Sequence, residues 1–356
     1  MFRALGIAQK LAVAALLFLA PVGYVLVALV GNQNTTIAFS DKERTGTLYL
    51  RQLAKVHAEL AGTALGNGKM AASGGVGIIE AAERQFGAGM ESAELAKAAA
   101  DAVRAVTPDG TGGSEARAAL RALISRVGDK SNLILDPDLD SFYVMDIMLV
   151  KLPEALDRTV SMVALARTTF ADGIMDAEEK VVFYVELGGL KAVTEGIAAS
   201  LASAYSGSAD GSVKASLDAP ASKLGADLGK LISSIEQGAP DAATVTDVLG
   251  ALRTMYDATS IDLERLLNKR VDGFSSSQFW TLLITALLFV AASGVVLLVV
   301  RRGVLTPLLG LTEAMKRLAA GDLESTIAGV DRHDEIGAMA TATAVFRDAA
   351  HRNREL

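Results

Sequence analysis

Two long uncharged stretches constrain this chain more than any other feature of its sequence. Residues 11–30 and 279–300 are apolar and free of charged side chains, and 248 residues separate them. At about 1.5 Å rise per residue, a helix of either length crosses the roughly 30 Å hydrocarbon core of a bilayer. The sequence therefore predicts two transmembrane helices, with a large domain at residues 31–278 between them.

Short positive flanks predict the orientation of these helices. Arg3 and Lys10 precede the first stretch, and Arg301 and Arg302 follow the second. Because Lys and Arg favour the cytoplasmic side, residues 1–10 and the C-terminal segment are expected in the cytoplasm and residues 31–278 outside it. A cleaved signal peptide is the alternative for the first stretch. Its apolar run exceeds the usual length of about 7–15 residues and no small-residue cleavage site follows, which favours an uncleaved anchor.

Composition argues against several classes of protein. The chain has no cysteine, and its three histidines, His57, His333 and His351, are scattered, so we expect no disulfide and no metal site. The net charge is −7, and the acidic excess lies in the central segment, which does not suit a nucleic-acid binder. Nucleotide-binding loops and a nucleophile elbow are missing from the sequence. We therefore expect no catalytic residues, no enzyme activity and no cofactor.

The central segment reads as all-α. Apolar residues recur at helical spacing near its start and near its end, as in the buried seams of a helical bundle. Glycine and proline breakers divide it into six or seven helices, too short for one bundle of this mass. We expect two smaller bundles stacked along the membrane normal that share one or two long helices, with the first and last helices antiparallel at the base. The two seams are Tyr49, Leu53, Val56 and Leu60, and Val245, Leu249, Leu252 and Tyr256.

The C-terminal segment contains two short heptad helices joined by a 15-residue connector. One such pair cannot bury its seam alone, whereas two copies form a parallel four-helix coiled coil. A homodimer is therefore expected. The seams are Leu308, Leu311, Met315 and Leu318 in the first helix, and Ile336, Met339, Thr343, Phe346 and Ala350 in the second.

Residues 301–353 closely resemble a HAMP domain, the linker of bacterial transmembrane receptors. The matching features are Pro307 after the second apolar stretch, Gly321, Leu323 and Ile327 in the connector, and the Asp-Glu-Ile-Gly sequence at 334–337. The resemblance implies that Leu323 and Ile327 pack onto the bundle and that Glu335 ties the second helix to the start of the first. The signalling residues it implies are Pro307, Leu308, Leu311, Met315, Leu323, Ile327, Glu335, Ile336 and Phe346.

The whole arrangement resembles the sensory half of a methyl-accepting chemotaxis protein, and residues 31–278 are similar in length and segment count to helical bimodular sensor domains. This likeness implies a receptor of the bacterial inner membrane with both termini in the cytoplasm and a small polar periplasmic ligand. It also implies contact with membrane lipid, homodimers in higher-order arrays, and cytoplasmic signalling proteins reached through an output region that begins at residues 354–356. The sensor half of a histidine kinase or diguanylate cyclase, and an interaction protein without a small ligand, remain alternatives.

An acidic segment at residues 136–146 is the candidate ligand site. The spacing of Asp136, Asp138 and Asp140 matches the first three ligand positions of a calcium-binding EF-hand loop. The rest of the loop does not match, because Ser141 stands where glycine is needed and Ile147 where glutamate is needed. Capping of the following helix by Asp136 or Asp138 is one interpretation. The other is ligand contact through Asp138, Tyr143 and Asp146, the last two sharing one helix face.

Overall fold

The computed structural model describes the backbone of residues 7–67, 72–171 and 175–355, and the side chains of residues 19–67, 73–171 and 175–352. The structure is 85% helical, and the described residues contain no strand, so the all-α prediction is confirmed. The eleven α-helices of the described residues are α1 (Ile7–Ala64), α2 (Ala72–Phe86), α3 (Ala93–Arg104), α4 (Gly113–Lys130), α5 (Leu139–Asp146), α6 (Leu152–Thr169), α7 (Ala177–Gly207), α8 (Ser212–Gln237), α9 (Ala242–Leu298), α10 (Thr306–Ala319) and α11 (Glu335–Glu355).

Two π-helical turns and one short 3₁₀ turn complete the described elements. The π-helical turns, Ile147–Lys151 and Val299–Leu305, join α5 to α6 and α9 to α10 without a break in the chain direction. The 3₁₀ turn Leu133–Leu135 follows α4. The chain divides into a large unit, Asn34–Phe274, and a small unit that contains residues before Asn34 and after Phe274.

The first and last helices of the large unit, α1 and α9, run antiparallel in one register. Arg270 Nη1 lies 3.0 Å from Glu43 Oε2, and Arg44 Nη1 donates to Asn268 Oδ1 at 3.2 Å. At the other end of the pair, Asn67 Nδ2 donates to Thr246 Oγ1 at 2.7 Å. These contacts keep the two helices adjacent over more than 20 residues of each, as the sequence predicts for the first and last helices of this domain.

A second antiparallel pairing joins α5 and α6 to α7. Ser200 of α7 donates to Asp146 of α5 at 2.7 Å, and Gly207 at the end of α7 lies against Asp140 at the start of α5. A Cβ on Gly207 would meet the Asp140 backbone nitrogen at 3.0 Å, so glycine permits this close approach. Successive helices of the large unit thus run in opposite directions, if α5, the π-helical turn and α6 are taken as one continuous helix.

Two halves of the large unit, α1–α4 and α5–α8, lie side by side, and the expectation of bundles stacked along the membrane normal is not confirmed. Helix α1 of the first half contacts α6 of the second at two heights. His57 Nε2 lies 3.1 Å from Asp157 Oδ1, and Arg167 Nη1 donates to the Leu65 carbonyl at 3.0 Å.

The core of the large unit contains the two seams that the periodicity predicts. All eight seam residues are buried except Leu249, which is half-buried and packs against the same core. Burial of each large apolar side chain contributes about 1.5–3 kcal/mol, so the paired seams of α1 and α9 explain why these helices stay together in a domain with few aromatic residues.

The small unit contains the second apolar stretch, which forms the C-terminal part of α9 and the first two residues of the π-helical turn. Among the described residues, the continuous helical run Ala242–Ala319 is long and apolar enough to cross a membrane, and its most apolar 18 residues have a mean hydropathy of 2.8. Phe279 and Trp280 stand at the start of this stretch, and their ring centroids are 5.7 Å apart. A tryptophan at the end of an apolar stretch is typical of a membrane interface. Residues 11–30 are helical within α1, and their role as a second membrane span remains a prediction.

Candidate functional site

One buried arginine of α9, Arg270, contacts three carboxylates, one of them in α1 and two in the loop before α5. The Arg270 side chain is only 8% exposed. Its Nη1 lies 3.0 Å from Glu43 Oε2, its Nη2 donates to Asp136 Oδ1 at 2.6 Å, and its Nε lies 2.7 Å from Asp138 Oδ2. We call Arg270, Glu43, Asp136 and Asp138 the Arg270 cluster. It joins α1, α9 and the loop before α5 at a single point.

The loop before α5 is shaped by Asp136. Its Oδ1 accepts hydrogen bonds from the Asp138 amide at 3.0 Å and from Ser141 Oγ at 2.9 Å, in addition to Arg270. Asp138 occupies the position that precedes α5, but its side chain makes no capping hydrogen bond and lies against Arg270 instead. Asp136 accepts the amide of Asp138, which precedes the helix, so neither carboxylate accepts a hydrogen bond from a first-turn amide of α5.

Burial controls the protonation of this cluster. Burial and the neighbouring Asp136 raise the pKa of Glu43 to about 8, although Arg270 acts in the opposite direction. Burial also raises the pKa of Asp136, despite the hydrogen bonds that it accepts from Asp138, Arg270 and Ser141. Arg270 keeps its charge: burial disfavours its cationic form, but Asp136, Glu43 and Asp138 together raise its pKa. At neutral pH the cluster thus holds a cation and a largely protonated Glu43.

An open cleft of about 550 Å³ lies beside the cluster. The start of α5 forms one wall, the turn between α7 and α8 forms another, and α9 forms the third. Its rim carries an ion pair in which Lys269 Nζ lies 2.6 Å from Asp210 Oδ2. The charged residues that line the cleft are Asp138, Asp140, Asp210, Lys269 and Arg270.

The structure brings only one of the three predicted ligand residues into this cleft. Asp138 lines it, whereas Tyr143 and Asp146 are not among its lining residues. Tyr143 is half-buried against the core, with its ring 5.3 Å from that of Phe142, and Asp146 Oδ2 accepts a hydrogen bond from Ser200. Tyr143 and Asp146 therefore hold α5 against its neighbours.

A second polar cluster lies deeper in the large unit. The Asp157 carboxylate of α6 lies 3.1 Å from the His57 ring of α1. It lies 3.2 Å from each of the guanidinium groups of Arg117 and Arg121 in α4. Burial opposes the charge on Asp157, but His57 and Arg121 together hold its pKa below the usual range. The cluster ties the two halves of the unit together, and nothing in the local sequence of these residues indicates that they meet.

In the small unit, α10 and α11 pack together around a short apolar seam. Leu311 of α10, Ile327 of the connector and Ala340 of α11 are buried in one cluster, against which Ala314, Ile336 and Ala344 pack. The packing of Ile327 onto the helix pair is what the HAMP resemblance implies. Leu308, Leu323 and Pro307 are half-buried.

Other predicted seam residues lie on the surface of the single chain. Met315 is 49% exposed, Met339 53% and Phe346 64%. In a parallel coiled coil of two copies, side chains at these heptad positions are covered by the second helix pair.

The connector is tied to the start of the helix pair by Arg332. Its Nη2 donates to the Gly303 carbonyl at 3.0 Å, and its guanidinium pairs with Asp334. The hydrogen bond from Arg332 and that from the Gly337 amide lower the pKa of Asp334 to about 2. Glu335, to which the resemblance assigns this tie, is exposed at the first position of α11. Sequence reasoning missed Arg332, although it stands in the charged run before α11.

Comparison with known proteins identifies the class of this module. Residues 299–342 match the family model described as "HAMP domain", so the chain carries a HAMP domain directly after its apolar helix. A relative named "Probable chemoreceptor y4sI", from Sinorhizobium fredii (strain NBRC 101917 / NGR234), is 55% identical over 49 residues, which is 14% of this chain and 6% of that protein. The chain thus spans a small part of the length of the curated relative it matches. No solved structure matches the chain significantly.

Removal of the buried arginine is expected to destabilise the large unit strongly. Arg270→Met leaves buried carboxylates without their cation, which costs about 3–5 kcal/mol of unfolding free energy. Arg44→Met is the matched control, because Arg44 lies on the same pair of helices but is 40% exposed, and its loss should cost about 1 kcal/mol or less. Chemical unfolding of the full chain in detergent, followed by circular dichroism, measures both. Equal losses for the two variants would contradict the importance of the cluster.

Proposed function

We propose that this chain is the sensory and linker part of a transmembrane receptor whose output is chemotaxis signalling. The observation that carries the proposal is the HAMP domain at residues 299–342, which follows an apolar helix and, before it, a separately packed helical unit of 241 residues. A HAMP domain placed there relays packing changes of the membrane helix to a cytoplasmic output. The receptor lies in the bacterial inner membrane, with both termini in the cytoplasm and residues 31–278 in the periplasm.

The proposed signal is a change of packing and involves no covalent chemistry. A ligand shifts an equilibrium only by the difference in its affinity for two states, typically a few kcal/mol. Helix α9 carries the change, because it begins in the large unit and its residues continue without a break toward α10. The signalling residues of the HAMP domain respond by exchanging seam contacts, and Met315 and Phe346 meet their own copies or each other in a homodimer.

The chemotaxis output is favoured over a kinase or cyclase output by one observation. The curated relative that matches this chain is named a probable chemoreceptor. Chemoreceptor output proceeds through cytoplasmic signalling proteins and higher-order arrays of dimers, and it needs no enzyme activity in the receptor itself. A histidine kinase or diguanylate cyclase output is the alternative.

We place the ligand site in the cleft beside the Arg270 cluster. A small polar molecule suits a cleft of this size with charges of both signs. Of the predicted ligand residues, Asp138 contacts the ligand directly. Tyr143 and Asp146 affect binding indirectly, by holding α5 in place beside the cleft. A ligand that contacts Asp138 also touches the residue pair that links this loop to α9, which gives it a route to the membrane helix.

Topology is the first test of the proposal. A reporter inserted at Gly110, in the connection between α3 and α4, should be active only outside the cytoplasm, and one fused after Leu356 only inside it. The positive flanks of both stretches are the physical reason. Alkaline phosphatase and green fluorescent protein fusions in a bacterial host measure the two locations. Finding both positions on one side of the membrane would refute the receptor.

Ligand binding should stabilise the protein by mass action. A small polar ligand at about 100 times its dissociation constant adds about 2.7 kcal/mol, which a thermal melt of the detergent-solubilised chain detects against a panel of organic acids, amino acids and amines. Asp138→Asn should abolish the shift, whereas Asp109→Asn, in the connection between α3 and α4, should keep it. A panel without any shift would favour an interaction protein.

Crosslinking tests the dimeric HAMP packing. The chain lacks cysteine, so single introduced thiols report without background. Met315→Cys should form disulfide-linked dimers efficiently in membranes, because its exposed apolar position faces the second copy, and the adjacent Lys316→Cys should not. Non-reducing electrophoresis after mild oxidation compares the rates. If Lys316→Cys crosslinked as fast as Met315→Cys, the parallel bundle would be wrong.

A further inference from the structure

The Arg270 cluster contains more acidic groups than its single cation can balance. Three carboxylates contact one guanidinium, and the side chains of Glu43 and Asp136 are fully buried. Buried charges that lack a partner are costly. In addition, Asp136 Oδ2 is buried and has no hydrogen-bond partner among the described residues. A cluster of this composition is stable with one carboxylate protonated and becomes strained when all three are ionised.

We propose that the Arg270 cluster is a proton-responsive latch between α1 and α9, in which Glu43 binds the proton and its release loosens the contact between these helices. This makes external pH a stimulus or modulator of the receptor in addition to a ligand. The latch requires no ligand in the cleft, and its effect on the large unit does not depend on the output that follows.

Glu43 is the titrating group because of its surroundings. Burial, with Asp136 and Asp138 adding to it, raises the pKa of Glu43 to about 8 against the opposing effects of Arg270 and Ser40. The pKa in the folded state thus lies above the ordinary value of 4.5. The stabilising contribution is fully present below pH 4.5 and is lost as pH rises through about 8. Loosening is therefore expected on the alkaline side of neutrality.

Several charged groups on the elements packed against Glu43 have partners other than Glu43. On α1, Arg44 Nη2 lies 2.6 Å from Asp41 Oδ1, and on α9, Lys269 pairs with Asp210 of the α7–α8 turn. From the loop before α5, Asp138 faces Arg270 with its side chain 56% exposed, and Asp140 accepts the Ser141 amide. Asp136 is buried like Glu43 but accepts hydrogen bonds from Asp138, Ser141 and Arg270, which favour its ionised form.

The position of the latch gives it a path to the membrane. Glu43 lies on α1 and Arg270 on α9, and these are the two helices whose residues continue into the two uncharged stretches. When Glu43 ionises, its charge repels Asp136 and Asp138 and competes with them for Arg270. The contact that then relaxes is the one that fixes α1, α9 and the α5 loop to each other. A small displacement of α9 along its axis or about it follows.

The test measures the spacing of α1 and α9 against pH in the full chain reconstituted in lipid nanodiscs. Ala38→Cys on α1 and Gly273→Cys on α9 are exposed positions close to the latch, and spin labels on them report their separation by pulsed electron paramagnetic resonance. Dilution into an excess of the cysteine-free natural chain restricts the measurement to pairs within one chain. We expect the distance distribution to change between about pH 6 and about pH 9, with a midpoint near 8.

Two variants decide whether Glu43 causes the change. Glu43→Gln keeps the shape without the titration and should abolish the pH response. Glu264→Gln is the matched control, because Glu264 of α9 also pairs with α1, at 3.8 Å from Arg51, but is about a third exposed, and it should keep the response. A natural chain without a pH-dependent distance, or a Glu43→Gln chain that responds like the natural one, would overturn the latch.

An infrared measurement on the natural chain covers the case in which Glu43→Gln fails to fold. Isotope-edited difference spectra should show a protonated glutamic acid that survives at neutral pH and disappears near pH 8, and its absence at neutral pH would refute the proposal. Failure of chemotaxis output with these signals intact would instead refute the proposed function and leave the latch standing.

Discussion

The antiparallel packing of α1 against α9 is the interaction on which the rest of the large unit depends. These are the first and last helices of the unit, they bury the two seams of its core, and polar contacts fix their register from Glu43 and Arg270 at one end to Asn67 and Thr246 at the other. The other helices of the unit, α2–α8, lie between these two along the chain. Because the first and last helices are neighbours, the chain leaves the large unit at the end where it entered, as the proposed pair of membrane spans requires.

Local sequence predicted the elements well because helical periodicity and breakers are local signals. The seams from Tyr49 and from Val245 lie in the core as the spacing indicates, and the heptads of α10 and α11 place Leu311 and Ile336 at one seam. The HAMP domain was recognisable for the same reason, since its motifs fall within about 50 consecutive residues.

Long-range assembly was not predictable from the same signals. Glu43 and Arg270 are separated by 227 residues, and neither stands in a pattern that marks a buried charge, so only Asp136 and Asp138 drew attention to the cluster. The stacked arrangement is not confirmed, because helix lengths fix how far each helix reaches but not which helix lies beside it. The contacts of α1 with α6, set by His57 and Arg167, decide that question.

The π-helical turn Val299–Leu305 changes how the sequence around it is to be interpreted. Such a turn holds more residues than an α-helical turn, and each additional residue rotates whatever follows by about 100° about the helix axis. The side of α9 that is most apolar therefore cannot be extrapolated to the seam of α10, although the backbone runs on continuously. The turn, which contains Arg301 and Arg302, sets the rotation of α10 about the helix axis relative to α9. Single-residue insertions or deletions here can thus rotate the seam of α10 about the helix axis without changing either helix.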